Sequence, residues 1–376
     1  MSLIKLSDIA NKITKGTTPH KEAFQGTEIN YIKSESLNYN GYIDSNSFKS
    51  IDIKTHNTIL KRSILKEEDI LVSIAGANLG KIGIISKEML PANTNQAVGI
   101  ISINSNLARS RYVYYYLQQA RIRNIINNSV AQSAQPNLNL AQLGNIKIEL
   151  PKLNQQDKII KVLDIISNKI ELNTHTNNNL YAMANSLLAT DFDSNNNIEL
   201  LHNVIKFIKG KKPIEIVNIK NDNFLKYLTI ACINNQEVTY ANPEKTIIAN
   251  NDILMVMDGA SSGEVYFSDY GIVGSTLAKI DIINDNYTKE YVFFVLKKYS
   301  EIIKNKNTGS AIPHTDKAFI NTLRIPIIKV ENQEKYKIIL DRIQHNLIEN
   351  INLANIRATL LPKLMNGEID LDKVEI

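Results

Sequence analysis

The sequence contains a single cysteine, Cys232, among its 376 residues. One thiol excludes an internal disulfide framework and any zinc or iron–sulfur site built from several cysteines. The six histidines are scattered, and no two of them stand four residues apart, as paired ligands on one helix face would. The sequence therefore predicts a protein without a metal centre.

Long apolar runs are also lacking. No stretch approaches the roughly 20 apolar residues that are needed to cross a bilayer. The first segment, MSLIKLSDIANK, lacks the basic-then-apolar order of a secretory signal. We therefore expect a cytoplasmic protein with no membrane partner. The 43 basic residues exceed the 38 acidic ones only slightly, and the net charge of +5 permits a polyanionic partner without requiring one.

The chain does contain a long internal repeat. The segment LSDIANKITKGTTP resembles LHNVIKFIKGKKP, and four further pairs follow in the same order along the chain. These pairs are EEDILVSIAGANLGKIGI with NNDILMVMDGASSGEVYF, YVYYYL with YVFFVL, QSAQPNL with GSAIPHT, and NQQDKIIKVLD with ENQEKYKIILD. The offset drifts only from 195 residues at Leu6 and Leu201 to 177 at Gln156 and Gln333. We interpret the chain as a tandem duplication.

Each half combines a mixed segment with one long helix. The mixed segment has short β-type runs separated by glycine turns, and YVYYYL and YVFFVL are expected to be amphipathic helices buried against the sheet. Apolar residues then recur at alternating four- and three-residue steps, from Ile159 to Leu187 and from Tyr336 to Leu364, which indicates two heptad seams. The second seam includes Leu347, and Arg357 interrupts it.

Asparagines interrupt both seams. Asn173 and Asn350 stand at equivalent places in the repeat, and Asn177 adds a second interruption to the first helix. A polar residue in an apolar seam costs stability but penalises slipped pairings, so we interpret these residues as register control. A pseudo-twofold relation between the halves would pair the helices as an antiparallel coiled coil. The stretch from Asp157 to Leu187 would then span roughly 46 Å.

These segments resemble the specificity (S) subunit of type I restriction–modification systems. The resemblance covers essentially the whole chain, and it is most specific at GTTP and GKKP, SIAGANLGKIGI, NTNQAV, SAQPNLNL…ELPKLNQQDKI and LLPKLMNGEIDL. It implies an α+β fold with two tandem α/β target-recognition domains, 1–150 and 191–328. Each is followed by a conserved spacer helix, 151–190 and, with the C-terminal tail, 329–376. The second half departs from the pattern at GASSGEVYF and GIVGSTLA, which limits the transfer of residue roles.

The resemblance also implies a function. It is that of a non-catalytic subunit that recognises double-stranded DNA at a bipartite asymmetric site and docks two adenine methyltransferase (modification) subunits. Two restriction/translocase subunits join where the system includes a nuclease. No cofactor is expected on this chain; S-adenosylmethionine, and ATP and Mg with a nuclease, are expected on the partners. The sequence itself has neither the [Asp/Asn]-Pro-Pro-[Tyr/Phe] motif of an adenine methyltransferase nor a P-loop.

Candidate DNA contacts stand in turns and loops at equivalent places of the two halves. Glycine allows a close backbone approach, lysine and threonine contact phosphates, and asparagine and glutamine can pair with adenine. The candidates of the first half are Lys15, Gly16, Thr17, Thr18, Lys81, Asn93, Thr94, Asn95, Gln96, Gln132 and Ser133. Those of the second half are Lys209, Lys211, Lys212, Ser261, Ser262, Ser275, Thr276, Ser310 and His314. Each could instead belong to a solvated loop or a capping turn.

Two interpretations from other classes stay open. One is a structural adaptor that displays two protein-binding modules on a coiled-coil rod, and duplex-DNA binding by the assembled complex would argue against it. The other is a divergent nuclease that uses Asp52 and Lys54 with Asp44 upstream. In that case Asp52→Ala should abolish metal-dependent cleavage.

Overall fold

The computed structural model describes residues 2–39, 41–128, 137–194, 197–234, 237–308 and 313–371. The chain divides into two compact units. Unit 1 comprises Met1–Asn173 and Ile348–Ile376, and unit 2 comprises Thr174–Leu347. Each unit contains a mixed α/β domain and part of each of the two long helices.

Unit 1 places an antiparallel sheet beside a smaller mixed one. Its strands are β1 (Ser2–Lys5), β2 (Ala10–Lys15), β3 (Ile29–Ile32), β4 (Lys49–Ile51), β5 (Ile70–Ser73), β6 (Ile82–Ile84), β7 (Ala92–Thr94), β8 (Val98–Ile103) and β9 (Lys147–Leu150). Its helices are α1 (Leu6–Ile9), α2 (Ile53–Asn57), α3 (Ser110–Leu117), α4 (Ala120–Asn128), α5 (Leu140–Gly144) and the start of the long helix α6 (Leu153–Ser194). The sheets have the orders β2-β8-β5-β6, β4-β3-β7 and β1-β9.

Unit 2 repeats this plan with local changes. Its strands are β10 (Ile198–Leu200), β11 (Ile205–Lys209), β12 (Ile216–Val217), β13 (Leu225–Leu228), β14 (Tyr240–Ala241), β15 (Ile248–Ala249), β16 (Ile253–Val256), β17 (Val265–Phe267), β18 (Gly271–Val273), β19 (Leu277–Ile282) and β20 (Arg324–Pro326). Its helices are α7 (Ile230–Ile233), α8 (Lys289–Asn305), α9 (Lys317–Asn321) and the start of α10 (Val330–Met365). The order β11-β19-β16-β17 matches β2-β8-β5-β6, and β10-β20 matches β1-β9.

The core of each unit joins the antiparallel sheet to a helix and to the long helices. The tyrosines of YVYYYL are buried in α3, and the corresponding aromatic residues are buried in α8. Their hydroxyls find partners inside the unit; Tyr115, for example, donates to Asp164 of α6 at 2.7 Å. The prediction that these helices pack in the core is confirmed. Among the described residues, no helix has both the length and the apolar character needed to span a membrane.

The long helices run antiparallel in both units. In unit 1, Ser167 of α6 contacts Arg357 of α10 at 3.1 Å, and Asn173 donates to Asn350 at 2.9 Å. In unit 2, Asn346 donates to Asn177 at 2.7 Å. The predicted antiparallel helix pair is therefore confirmed, and α6 extends beyond the predicted stretch at both ends.

One residue of the second seam was assigned wrongly. Leu347 is 43% exposed, and its neighbour Asn346 is buried in the seam instead. Arg357 does interrupt the apolar seam, and it lies buried within it, with only 7% of its surface exposed. A long arginine can bury its methylene stem while its guanidinium finds a polar partner, here Ser167. The heptad pattern therefore located the helix pair but not every residue that it buries.

Candidate nucleic-acid interface

The turn after β2 is pressed against the loop that joins β7 to β8. Gly16 N–H donates to the Val98 carbonyl at 3.0 Å, and Thr17 N–H donates to the Thr94 carbonyl at 3.0 Å. A Cβ atom on residue 16 would collide with the backbone carbonyls of Thr94 and Asn95. Glycine is therefore required by the close approach of two backbones, and this contact holds the exposed side chain of Lys15 next to the loop.

The two ends of the predicted amide-rich loop have different environments. Asn93 and Thr94 are fully buried: the Asn93 amide donates to the Leu60 carbonyl at 3.1 Å, and the Thr94 hydroxyl donates to the Ile32 carbonyl at 2.7 Å. The prediction that these two side chains contact bases is therefore wrong. Both are buried, and their hydrogen bonds to backbone carbonyls stabilise the loop from within the domain. Asn95 is partly exposed and Gln96 is exposed, so both remain available for contact.

A cleft brings together four of the segments singled out in the first half. Lys15, Gln96 and Ala75 line it, together with the residues from Asn137 to Leu140. An isolated β bridge joins Ala75 to Asn137 and so attaches the segment after residue 136 to the rim of the sheet. Gln132 and Ser133, like Ser310 in the second half, lie outside the described residues.

Two further candidates of the first half, Lys81 and Thr17, have side-chain partners within the domain. Lys81 Nζ donates to Asn78 at 2.7 Å and lies 5.6 Å from the centre of the Tyr39 ring, and burial lowers the pKa of its ammonium group. The Thr17 hydroxyl accepts a hydrogen bond from Arg62 at 2.9 Å, whereas Thr18 is exposed. Sequence reasoning missed Arg62, which lies far from Thr17 along the chain.

The second half repeats the glycine turn. Gly210 N–H donates to the Leu277 carbonyl at 2.9 Å, and a Cβ atom on residue 210 would collide with the carbonyls of Val273 and Gly274. Lys211 and Lys212 continue from this turn and are exposed. The candidates on the facing loop are Ser275, which is partly exposed, and Thr276, which is exposed.

The two predicted serines of the glycine loop differ in burial. Ser262 is fully buried, and its hydroxyl lies 2.7 Å from the Gly259 carbonyl and 2.8 Å from the Pro313 carbonyl. The interpretation of Ser262 as a DNA contact is therefore corrected, since its side chain ties the loop to the segment before α9. Ser261 is partly exposed.

A charged cluster surrounds Asp258, which sequence reasoning missed. Its carboxylate lies 3.3 Å from Lys209 Nζ and 2.8 Å from His314 Nδ1. Partial burial raises the pKa of Asp258, but the hydrogen bonds and charges of His314 and Lys209 outweigh it, so the pKa is lowered overall. The cluster thus contains two predicted residues, held together by an acidic residue that no prediction included.

The loops that carry the candidate residues are held by equivalent backbone hydrogen bonds in the two units, and we call this shared backbone arrangement the frame. Ile74 N–H donates to the Ala97 carbonyl at 2.8 Å, and Met257 N–H donates to the Thr276 carbonyl at 2.8 Å. The next connection repeats as well: Leu138 N–H meets the Ile74 carbonyl at 2.8 Å, and Thr315 N–H meets that of Met257 at 2.9 Å. The two domains therefore share one frame, on which they place different exposed side chains.

The carboxylates of the nuclease hypothesis cap short helical turns. Asp52 accepts from the Thr55 N–H at 2.7 Å at the start of α2, and these hydrogen bonds lower the pKa of Asp52. Asp44 accepts from the Asn46 N–H at 3.0 Å. Among the described residues, no three His, Cys, Asp or Glu side chains come together as a set of metal ligands. The arrangement gives both carboxylates a structural role.

The duplicated frame and the antiparallel helices define a class of protein with two similar α/β domains joined by long helices. The sequence profile of the type I restriction modification DNA specificity domain matches residues 1–182 and 197–357. The chain belongs to this family, and the resemblance stated from the sequence is confirmed.

Three relatives and solved structures extend this match. The type I restriction enzyme MjaVIII specificity subunit of Methanocaldococcus jannaschii is 34% identical over 152 residues, which cover 39% of this chain and 35% of that protein. The chain thus spans about a third of that relative. The putative MjaX specificity subunit of the same organism is 22% identical, with 97% of this chain and 91% of that protein covered. The crystal structure of a type I S subunit from M. genitalium shares the fold, with a TM-score of 0.54, 17% identity and coverage of 96% and 95%.

Proposed function

We propose that this chain is the non-catalytic DNA-recognition subunit of a type I restriction–modification complex. It would read a bipartite asymmetric site, with one half-site bound by each α/β domain. The observation that carries this proposal is the shared frame: the same glycine turn and the same backbone hydrogen bonds present different exposed side chains in the two units. An asymmetric split site requires two similar folds with different contact residues, because each fold must meet the same duplex geometry but a different sequence.

The exposed residues suit the two kinds of contact that such binding needs. Lys15, Lys211 and Lys212 stand at or next to the glycine turns and can contact phosphates, which provide affinity. Gln96 and His314 stand beside them and carry groups that can hydrogen bond to base edges, which provide specificity.

The partners in this proposal are two adenine methyltransferase subunits, and two restriction/translocase subunits where a nuclease is part of the system. Apolar side chains on the outer faces of the long helices support such docking, since Ile165 and Leu172 are exposed on α6 and Ile338 is exposed on α10. S-adenosylmethionine, and ATP and Mg with a nuclease, would be bound by those partners.

The test is co-expression with the methyltransferase subunit of the same restriction–modification system, in a host that lacks adenine methylation. Long-read sequencing of the host DNA then shows which adenines are modified. We expect methylation within one asymmetric split motif, and a Lys211→Ala, Lys212→Ala double variant should lower the methylated fraction. A complex that assembles and binds S-adenosylmethionine but methylates no split motif would contradict the proposal and favour a structural adaptor.

A further inference from the structure

The cluster of Lys209, Asp258 and His314 joins three separate segments of unit 2. Lys209 ends β11, Asp258 follows β16, and His314 precedes α9. The Asp258 Oδ2 atom lies 3.3 Å from Lys209 Nζ, its Oδ1 atom lies 2.8 Å from His314 Nδ1, and a β bridge joins Asp258 and His314. The carboxylate is therefore fixed from both sides, while 28% of its side chain stays exposed.

The equivalent site in unit 1 has the same backbone but different chemistry. A β bridge between Ala75 and Asn137 corresponds to the bridge between Asp258 and His314, and Lys15 ends β2 as Lys209 ends β11. Position 75 carries no acceptor, so Lys15 has no carboxylate there to pair with. The side chain at this place in the repeat is therefore a methyl group in unit 1 (Ala75) and a carboxylate in unit 2 (Asp258), although the backbone bridge is the same.

Under the proposed function this turn faces DNA, where the exposed part of the Asp258 carboxylate would repel phosphates but could accept a hydrogen bond from a base. The amino group of cytosine in the major groove is a donor from which aspartate can accept. Each carboxylate oxygen has a further lone pair beyond those used by Lys209 and His314. The ammonium group of Lys209 likewise has donors left, and O6 and N7 of guanine are their usual acceptors on a base edge.

We infer that Asp258 is a specificity-determining residue that, together with Lys209, reads one G·C base pair in the half-site bound by unit 2. The inference rests on the proposed function, since it assigns a base preference to one part of the same interface. Ala75 offers no acceptor and selects no cytosine at the equivalent position of the other half-site.

The test compares the methylated motifs of wild-type and Asp258→Ala chains, each in complex with the methyltransferase. The variant is expected to lose discrimination at one G·C position of one half-site, by about fivefold to 150-fold, while the other half-site stays unchanged. Asp258→Asn keeps the shape of the side chain and an acceptor for His314 but adds an amide donor, so it should lose the cytosine preference as well. Lys211→Ala is the matched control, because loss of an exposed lysine beside the same turn should lower methylation at all sites without changing the motif.

The possible outcomes distinguish a failure of this inference from a failure of the proposed function. An unchanged motif in both Asp258 variants, or a wild-type motif without a G·C pair in either half-site, would overturn the inference and leave the proposed function standing. Absence of any split motif with the wild-type complex would overturn the proposed function itself. If the Asp258→Ala chain does not assemble, the motif of the Asp258→Asn complex decides alone.

Discussion

Asn173 and Asn350 occupy equivalent positions of the two repeats and hydrogen bond to each other, with Asn173 Nδ2 2.9 Å from Asn350 Oδ1. A second polar pair, Asn177 with Asn346, lies one turn further along. This second pair is not repeated, because the equivalent positions hold Ala354 and Lys169. The Asn173–Asn350 contact thus follows the repeat, whereas the Asn177–Asn346 contact breaks it.

The Asn177–Asn346 pair gives the first prediction. Asn346→Leu leaves the Asn177 side chain without its buried partner and should lower the free energy of unfolding by about 1–3 kcal/mol. Changing both residues to leucine should restore most of that loss, since no buried amide is then left unpaired, while the register becomes less specific. Denaturant unfolding of the single and double variants measures this. An equal loss of unfolding free energy in the single and the double variant would show that the cost does not come from an unpaired Asn177.

Gln156 and Gln333, which are aligned in the repeat, each make side-chain hydrogen bonds at the start of a long helix. Gln156 accepts from the Arg109 N–H at 2.8 Å and donates to the Pro151 carbonyl at 2.8 Å. Gln333 accepts from the Thr288 N–H at 2.7 Å and donates to the Asn286 carbonyl at 2.7 Å. Each glutamine therefore joins its long helix to the helix α3 or α8 of the same unit.

Gln156→Ala removes both side-chain hydrogen bonds of Gln156. It leaves a backbone N–H and a carbonyl without partners in a buried place, and should cost about 1–3 kcal/mol. Hydrogen exchange should show faster exchange at the start of α3, with unit 2 unaffected. The exposed neighbour Gln155 provides the control, and Gln155→Ala should change nothing. Equal exchange rates in the two variants would show that the hydrogen bonds of Gln156 do not stabilise the start of α3.

Asp52 distinguishes a capping role from a nuclease role. Hydrogen bonds from Thr55 lower its pKa, so the cap stabilises the fold above the ordinary carboxylate pKa and loses this effect as the pH falls through the lowered value. Asp52→Ala should reduce the melting temperature at pH 7, and the difference from the wild type should shrink in acid. Asp52→Asn should retain most of the cap.

The same variants test the nuclease hypothesis directly. Methylation by the complex should be unchanged in both Asp52→Ala and Asp52→Asn, because the carboxylate is engaged with Thr55 in the cap. Metal-dependent cleavage by the purified chain that disappears with Asp52→Ala but survives control changes would show that the structural assignment is wrong.

The sequence predicts the frame of this fold better than its contacts. Glycine turns, heptad spacing and the repeat offset all leave local patterns, and they located the turns at Gly16 and Gly210 and the paired helices. Burial of a polar side chain leaves no such pattern, which is why the sequence does not distinguish the buried Asn93 and Ser262 from surface residues. Asp258 was missed because its partners come from β11 and from the segment before α9, which only the folded chain brings together.

The exposed lysines after Gly210 give the last prediction. Each lysine that contacts a phosphate displaces a condensed counterion, so the logarithm of the binding constant falls linearly with the logarithm of the salt concentration. Lys211→Ala and Lys212→Ala should each reduce that slope by about 1 and weaken binding to all duplexes alike. Lys81→Ala should have a smaller effect, because Lys81 is already bound to Asn78 and Tyr39. Titration of the methyltransferase complex with labelled duplex at several salt concentrations measures the slope for the wild type and for each of the three variants. Equal slopes for wild-type and Lys211 and Lys212 variants would place the DNA on another face of the domain.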